Sequence, residues 1–375
     1  MNRTPDATAA ESERPSRRSF LLDLLKAVGC VLIVLHHLAF YGPMSDVVLR
    51  VWPAVIGWLS DYGRLAVQLF LVCSGYLTAA GLAARPDMDG PRALRLAGRR
   101  YLRLAIPMLG ALSATVLVTE WIRPDFDHPS LSAPPHWWQA MAHVFFLQHL
   151  LGQEALSAGI WYVAIDFQLH ALTLAVLLAV TLWLHARPQR RPEALLLQLM
   201  LGLTVLSLLY WNLQPDLDEY GLYFFGAYGL GWLAHRARQS RIPPKGWLLL
   251  LGLGGLALWV DPRWRIATAW GVALLLAVAP AAWLAPAQAR GWRAGVSALA
   301  RISYSVFLIH YAVGLAVSAF VTAHQPDAVA WNALGMATAL VLSVLAGALL
   351  HRLAERPAAT VRRWLLWLAL FMASV

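Results

Sequence analysis

Lys26 and His37 share one apolar stretch, Phe20 to Tyr41, that is long enough to cross a bilayer. A cation and an ionisable imidazole within a membrane span are expensive to keep there, which marks the pair as a site. Eleven residues separate them. On a helix this leaves about 20° of rotation and a rise of roughly 16 Å, so both project from one face. A neutral imidazole in such a place can take the proton of a hydroxyl as a general base, or act itself as a nucleophile. His36 is turned by about 100° and cannot share that face, so His37 is the expected catalytic residue.

The elements that must position this pair are membrane helices. Hydrophobic residues make up 59% of the 375-residue chain and charged residues 13%, with a mean hydropathy of +0.57. A soluble domain of that composition would expose a large apolar surface. Runs of about 20 apolar residues fall at 20–41, 62–84, 101–122, 160–184, 194–213, 219–235, 246–260, 265–284, 295–321 and 331–350. The expectation is an all-α polytopic bundle of ten spans. The net charge of +10 does not point to nucleic acid, because the basic residues sit in short loops between apolar runs. With the N-terminus inside, 25 of the 30 Lys and Arg lie on the inner face, leaving Arg50, Arg64, Arg123, Arg263 and Arg265 outside. The positive-inside rule therefore puts both termini in the cytoplasm.

The domain reading is a disordered cytoplasmic tail over 1–19, one membrane domain over 20–358 and a cytoplasmic or interfacial tail helix over 359–375. The tail carries no signal-peptide pattern, so the first span is expected to stay uncleaved. The stretch Trp137 to Leu151 is apolar but short and holds His143, Gln148 and His149. It is expected to lie in the outer interface or to dip half into the bundle. Cys30 and Cys73 fall inside spans and suggest no disulfide framework. Walker, dinucleotide and metal-ligand spacings are absent, and no metal is expected. The glycines at 252, 254 and 255 read as helix packing.

Several polar runs remain. They are Phe70 to Ser74-Gly75-Tyr76; Arg99-Arg100 with Arg103 and Pro107; Trp161 with Asp166, then Gln168-Leu169-His170; Ser303-Tyr304 to Leu308-Ile309-His310; and Glu355-Arg356-Pro357. Together with Lys26 and His37, and in this order over residues 20–358, they resemble the motifs of the membrane-bound acyltransferases of family 3, bacterial proteins that O-acylate sugars of surface polysaccharides and other acceptors. Three places depart from the family pattern: Lys26 stands where Arg is usual, Asp166 where Glu is usual, and Gln168-Leu169-His170 where an aromatic pair is usual. Lys offers a point charge in place of a planar fork.

The resemblance implies transfer of an acyl group, in the first place acetyl, from a cytoplasmic acyl-CoA to a hydroxyl of an envelope glycan or lipid-linked sugar at the outer face. It places the chain in the bacterial inner membrane. Arg99, Arg100 and Arg103, with Lys26, would meet the phosphates of CoA; the alternative for the arginines is topology alone. Asp166, expected at about the depth of His37, would orient its ring or else make a structural contact with His170 or Arg64. His310 either acts in the site or bonds a hydroxyl across helices. Ser74, His170, Tyr304 and Glu355 are further candidates, with Glu355 and Arg356 expected to pair at the inner rim. A secondary transporter or a flippase of an envelope precursor is the competing class, although no inverted repeat is visible.

Overall fold

A computed structural model describes residues 19–82, 88–186, 192–239, 243–284 and 291–375. Its elements are helices: α1 (Phe20–Phe40), α2 (Met44–Leu49), α3 (Pro53–Tyr62), α4 (Ala66–Leu82), α5 (Gly90–Ile122), α6 (Trp137–Val144), α7 (Ile160–Ala186), α8 (Pro192–Leu209), α9 (Gly221–Gln239), α10 (Pro243–Val260), α11 (Trp264–Val278), α12 (Ala281–Leu284), α13 (Trp292–His324), α14 (Val329–Leu350) and α15 (Val361–Ser374). The expected tail lies outside the described residues except for Ser19. The Ser19 hydroxyl accepts from the Leu22 N–H at 3.4 Å and caps α1.

Among the described residues, seven helices are long and apolar enough to cross a membrane: α1, α3 running on into α4, α5, α7, α8, α13 and α14. Two shorter apolar helices, Lys245–Val260 and Trp264–Val278, coincide with two more of the expected spans. The nineteen-residue α9 coincides with the tenth and is buried along most of its length. The chain is thus an all-α, polytopic membrane bundle.

Burial separates centre from edge. The apolar windows of α5 and α1 are 72% and 67% buried within the protein, those of α8 and α14 only 22% and 33%. The former pair lies inside and the latter at the edge of the bundle. Close approach at the centre depends on small residues. A Cβ on Gly75 of α4 would stand 1.9 Å from the Tyr228 carbonyl oxygen of α9, and one on Gly231 of α9 would stand 2.0 Å from the Val72 carbonyl oxygen. The two backbones touch there, which accounts for the glycine in the Ser-Gly-Tyr run.

α6 takes the second of its two expected placements. The Val144 carbonyl at its end accepts the Tyr101 hydroxyl of α5 at 2.8 Å, and Phe146 packs against Tyr101 and Phe167. The segment is therefore wedged between α5 and α7 instead of lying flat. His143 locks it: Nδ1 donates to the Gln139 carbonyl (2.8 Å), and Nε2 accepts from the Leu156 N–H (3.1 Å). The tail helix α15 packs along α5. Trp364 meets Tyr101, Trp367 covers Gly110 and Phe371 is fully buried.

Candidate active site

Two polar clusters sit inside the bundle. The first lies near the C-terminal end of α1. His37 Nδ1 is 2.6 Å from His310 Nε2 of α13, and His310 Nδ1 is 2.7 Å from the Phe307 carbonyl oxygen. Both imidazoles are buried. They border a small, partly open cleft whose polar lining also includes Tyr41, Ser130, Tyr311 and Ser318. Tyr311 donates to the Ser130 carbonyl at 2.5 Å and meets Tyr41 edge to face. Gly159, immediately before α7, has φ +78°, and a Cβ there would stand 2.8 Å from the Phe307 ring and 3.5 Å from His37 Cε1. Glycine is needed at this position both for its backbone and for the space beside the Phe307 ring.

The second cluster lies toward the end at which α1 and α5 begin. Arg100 Nη2 of α5 meets Asp166 Oδ2 of α7 at 2.5 Å, and the Ser74 hydroxyl of α4 donates to Asp166 Oδ1 at 3.0 Å. His170, one turn beyond Asp166, lies within electrostatic range of both members of the pair. Lys26 is half-buried and close enough to act electrostatically on Cys73, the neighbour of Ser74.

A layer of rings separates the clusters. Phe70 precedes Ser74 by one turn, Tyr162 precedes Asp166 by one turn and Phe307 precedes His310 by one turn; the three rings lie 5.7 to 6.3 Å apart, centroid to centroid. The clusters are thus about 10 Å apart along the helices, two turns in all.

This geometry rearranges the expected partnerships. Asp166 is not the group that orients His37: its carboxylate is taken up by Arg100 and Ser74, one ring layer away, and His310 occupies the position beside His37 Nδ1. α7 starts at the level of His37, where Gly159 approaches its ring, so Asp166 lies about two turns further along the bundle. His36 turns away, with Nδ1 3.0 Å from the Leu59 carbonyl of α3. Arg99 and Arg103 are exposed and four residues apart on α5, while Arg100 faces inward. Tyr304 donates to the Leu104 carbonyl at 2.9 Å, just before the helix-interior Pro107. Glu355 accepts from the Ser305 hydroxyl at 2.6 Å and lies 3.1 Å from His351 Nδ1, so its contacts run to α13 and to its own helical turn instead of to Arg356. Among the described residues no group of three His, Cys, Asp or Glu side chains is placed to hold a metal.

The motif residues therefore converge from α1, α4, α5, α7 and α13 onto one axis through the bundle. A family model described as an acyltransferase domain matches residues 21–353. The chain belongs to acyltransferase family 3. It is a membrane-embedded acyltransferase. Comparison with curated proteins and with solved structures gave no match. Within this acyltransferase, sequence reasoning missed Gly159, the ring layer and Asp23, a carboxylate buried in the first turn of α1. Asp23 stands three residues before Lys26 inside an apolar run, which was a readable signal.

Proposed function

We propose that this acyltransferase moves an acyl group, in the first place acetyl, from a cytoplasmic acyl-CoA to a hydroxyl of an envelope glycan or lipid-linked sugar at the outer face of the bacterial inner membrane. The observation that carries this reading is the placement of a hydrogen-bonded imidazole pair beside a hydroxyl-lined cleft, at the end of the bundle opposite the Arg99–Arg103 stretch. With ten spans and both termini cytoplasmic, as the charge distribution favours, that cleft faces outward.

CoA would leave its phosphates at the inner rim, where exposed Arg99 and Arg103 offer charge-assisted bonds and Lys26 adds a cation further in. Arg100 is neutralised by Asp166 and contributes a wall more than a ligand. The extended pantetheine arm then spans roughly 16 Å, the rise from Lys26 to His37, and passes the ring layer. His37 takes the acceptor hydroxyl proton as the oxygen bonds to the thioester carbonyl carbon. The C–S bond breaks, and the proton returns to the departing sulfur to give free CoA.

The test uses purified full-length protein in liposomes with acetyl-CoA, and membranes of the native host as the source of acceptor. Release of CoA thiol together with acetyl label in membrane glycan or lipid is expected. Membranes that gain no label and release no CoA would favour a transporter. Orientation is read with single cysteines: one at Gln325 should react with an impermeant thiol reagent from outside, and one at Ala358 should not. The native Cys30 and Cys73 are buried and should stay silent.

A further inference from the structure

We propose that His310 is a positioning residue that fixes the tautomer of His37, holding the proton on His37 Nδ1 and leaving His37 Nε2 bare to act as the base. The inference rests on the reading of His37 as the base and adds a specific device that sets it.

The argument follows from which atoms can donate. A carbonyl oxygen only accepts, so at 2.7 Å from the Phe307 oxygen His310 Nδ1 must carry a hydrogen. No carboxylate among the described residues touches either ring, and an unpaired charge in a membrane interior is costly, so both rings are neutral. A neutral His310 with its hydrogen on Nδ1 has a lone pair on Nε2. The 2.6 Å bond between the rings is then donated by His37 Nδ1. A neutral His37 with its hydrogen on Nδ1 has its free lone pair on Nε2.

Ring geometry supports a directed bond. The planes differ by 7° and the centroids are 4.9 Å apart, with the facing nitrogens at 2.6 Å. Rings stacked face on face would keep their atoms at van der Waals distance, about 3.5 Å or more. The two imidazoles instead lie edge to edge in nearly one plane, which points the N–H along the lone pair. The Phe307 carbonyl thus sets His310, and His310 sets His37.

The consequence for the reaction lies in the charge that appears. When Nε2 of His37 takes the hydroxyl proton, the resulting imidazolium donates through Nδ1 to His310, a bond that becomes charge-assisted at that moment. When the proton moves on to the leaving sulfur, the neutral chain of hydrogen bonds is restored. A carboxylate in the place of His310 would hold a charge throughout the cycle, whereas a second imidazole strengthens its bond only when the charge is present.

Two measurements test this. In wild-type protein in nanodiscs with 15N-labelled histidine, and with His37→Gln to assign the signals, His37 should show a protonated Nδ1 and a bare Nε2, with coupling across the bond to His310 Nε2. Protonation at Nε2 instead would overturn the proposal without any mutation of His310. Kinetically, His310→Leu should lower kcat by about 10³-fold or more, on the scale known for a triad histidine forced into the wrong tautomer, with the donor KM nearly unchanged. His310→Gln should recover at least about tenfold, because its carbonyl accepts from His37 and its amide donates to Phe307. Should His310→Leu retain activity while His37→Ala is dead, the tautomer device fails and the base survives. If His37→Ala is itself active, the base reading fails. Variants that do not accumulate leave the decision to the wild-type spectrum.

Discussion

The two buried clusters of this bundle are built from similar residue types and do opposite things with charge. Around Asp166, a full ion pair is formed and neutralised on the spot by Arg100, with Ser74 filling the remaining carboxylate lone pair. Around His37, among the described residues, no carboxylate pairs with either ring, and the hydrogen bonds end on a backbone carbonyl. A neutralised ion pair is a rigid junction between helices, since either partner alone would be a stranded charge. An uncharged imidazole with one nitrogen committed and one free is poised to accept a proton. On the proposed mechanism, an uncommitted lone pair marks the reacting end of the bundle and the denser charge marks a junction.

The sharpest way to break this comparison is to remove each centre and ask whether activity or stability responds. His37→Ala should reduce acyl transfer by about 10³-fold or more, within the range for loss of a general base, with little change in protein level. His36→Ala should keep most activity, because its bond to the Leu59 carbonyl is structural and worth about 1 kcal/mol. If His36 proves the essential one, the assignment of the base is wrong. Initial rates of CoA release on matched amounts of folded protein provide the measurement.

Asp166→Ala should have the opposite signature. It strands Arg100, and losing one partner of a buried pair costs on the order of 3 kcal/mol, toward the low end because 32% of the Arg100 side chain reaches solvent. Thermal unfolding in detergent should drop by several degrees. The double variant Arg100→Met with Asp166→Leu should regain much of that loss, since apolar replacements of buried pairs are often near neutral. A double variant as unstable as Asp166→Ala would mean that the pair does more than join α5 to α7.

Much of the bundle was legible in the sequence, because membrane helices announce themselves by length and hydropathy. Each expected span finds a helix, and the Lys26–His37 face could be drawn from helical periodicity alone. Three things escaped, each for a physical reason. The depth of Asp166 is one: α7 begins at the level of His37, so a residue early in that helix already lies about two turns away from the imidazole. The His37–His310 contact joins residues 273 positions apart, and no local pattern specifies which face of α13 meets α1. Gly75 looked like part of a chemical signature, yet its requirement is the 1.9 Å a Cβ would leave to the α9 backbone.

Gly159→Ala probes the boundary between the two regions. It forces an L-residue to φ +78°, at roughly 1–2 kcal/mol, and drives a methyl into the Phe307 ring, whose carbonyl anchors His310. Activity should fall about tenfold, with a stability loss smaller than that of Asp166→Ala. Undiminished activity would mean that the ring layer yields freely and that its register with His37 is not critical.

The smallest expected effect lies in the wedge between α5 and α7. Burial lowers the His143 pKa to about 4, outweighing its bond to the Gln139 carbonyl, which acts the other way. In the unfolded chain the same group titrates near 6.5. Between those values the unfolded state binds the extra proton, so stability rises with pH in that window. The contribution is fully present above about pH 6.5, and it declines as pH falls toward 4, because a protonated Nε2 can no longer accept from the Leu156 N–H. Gln at this position keeps a donor for Gln139 and an acceptor for Leu156 but does not titrate. Wild type should therefore lose thermal stability between pH 7 and pH 5 faster than His143→Gln, by at most about 1.4 kcal/mol per pH unit. Every other group is the same in both proteins, so the difference between the two slopes reports His143 alone. Parallel slopes would show that the wedge holds without His143 and that Tyr101 and Phe146 alone keep it between α5 and α7.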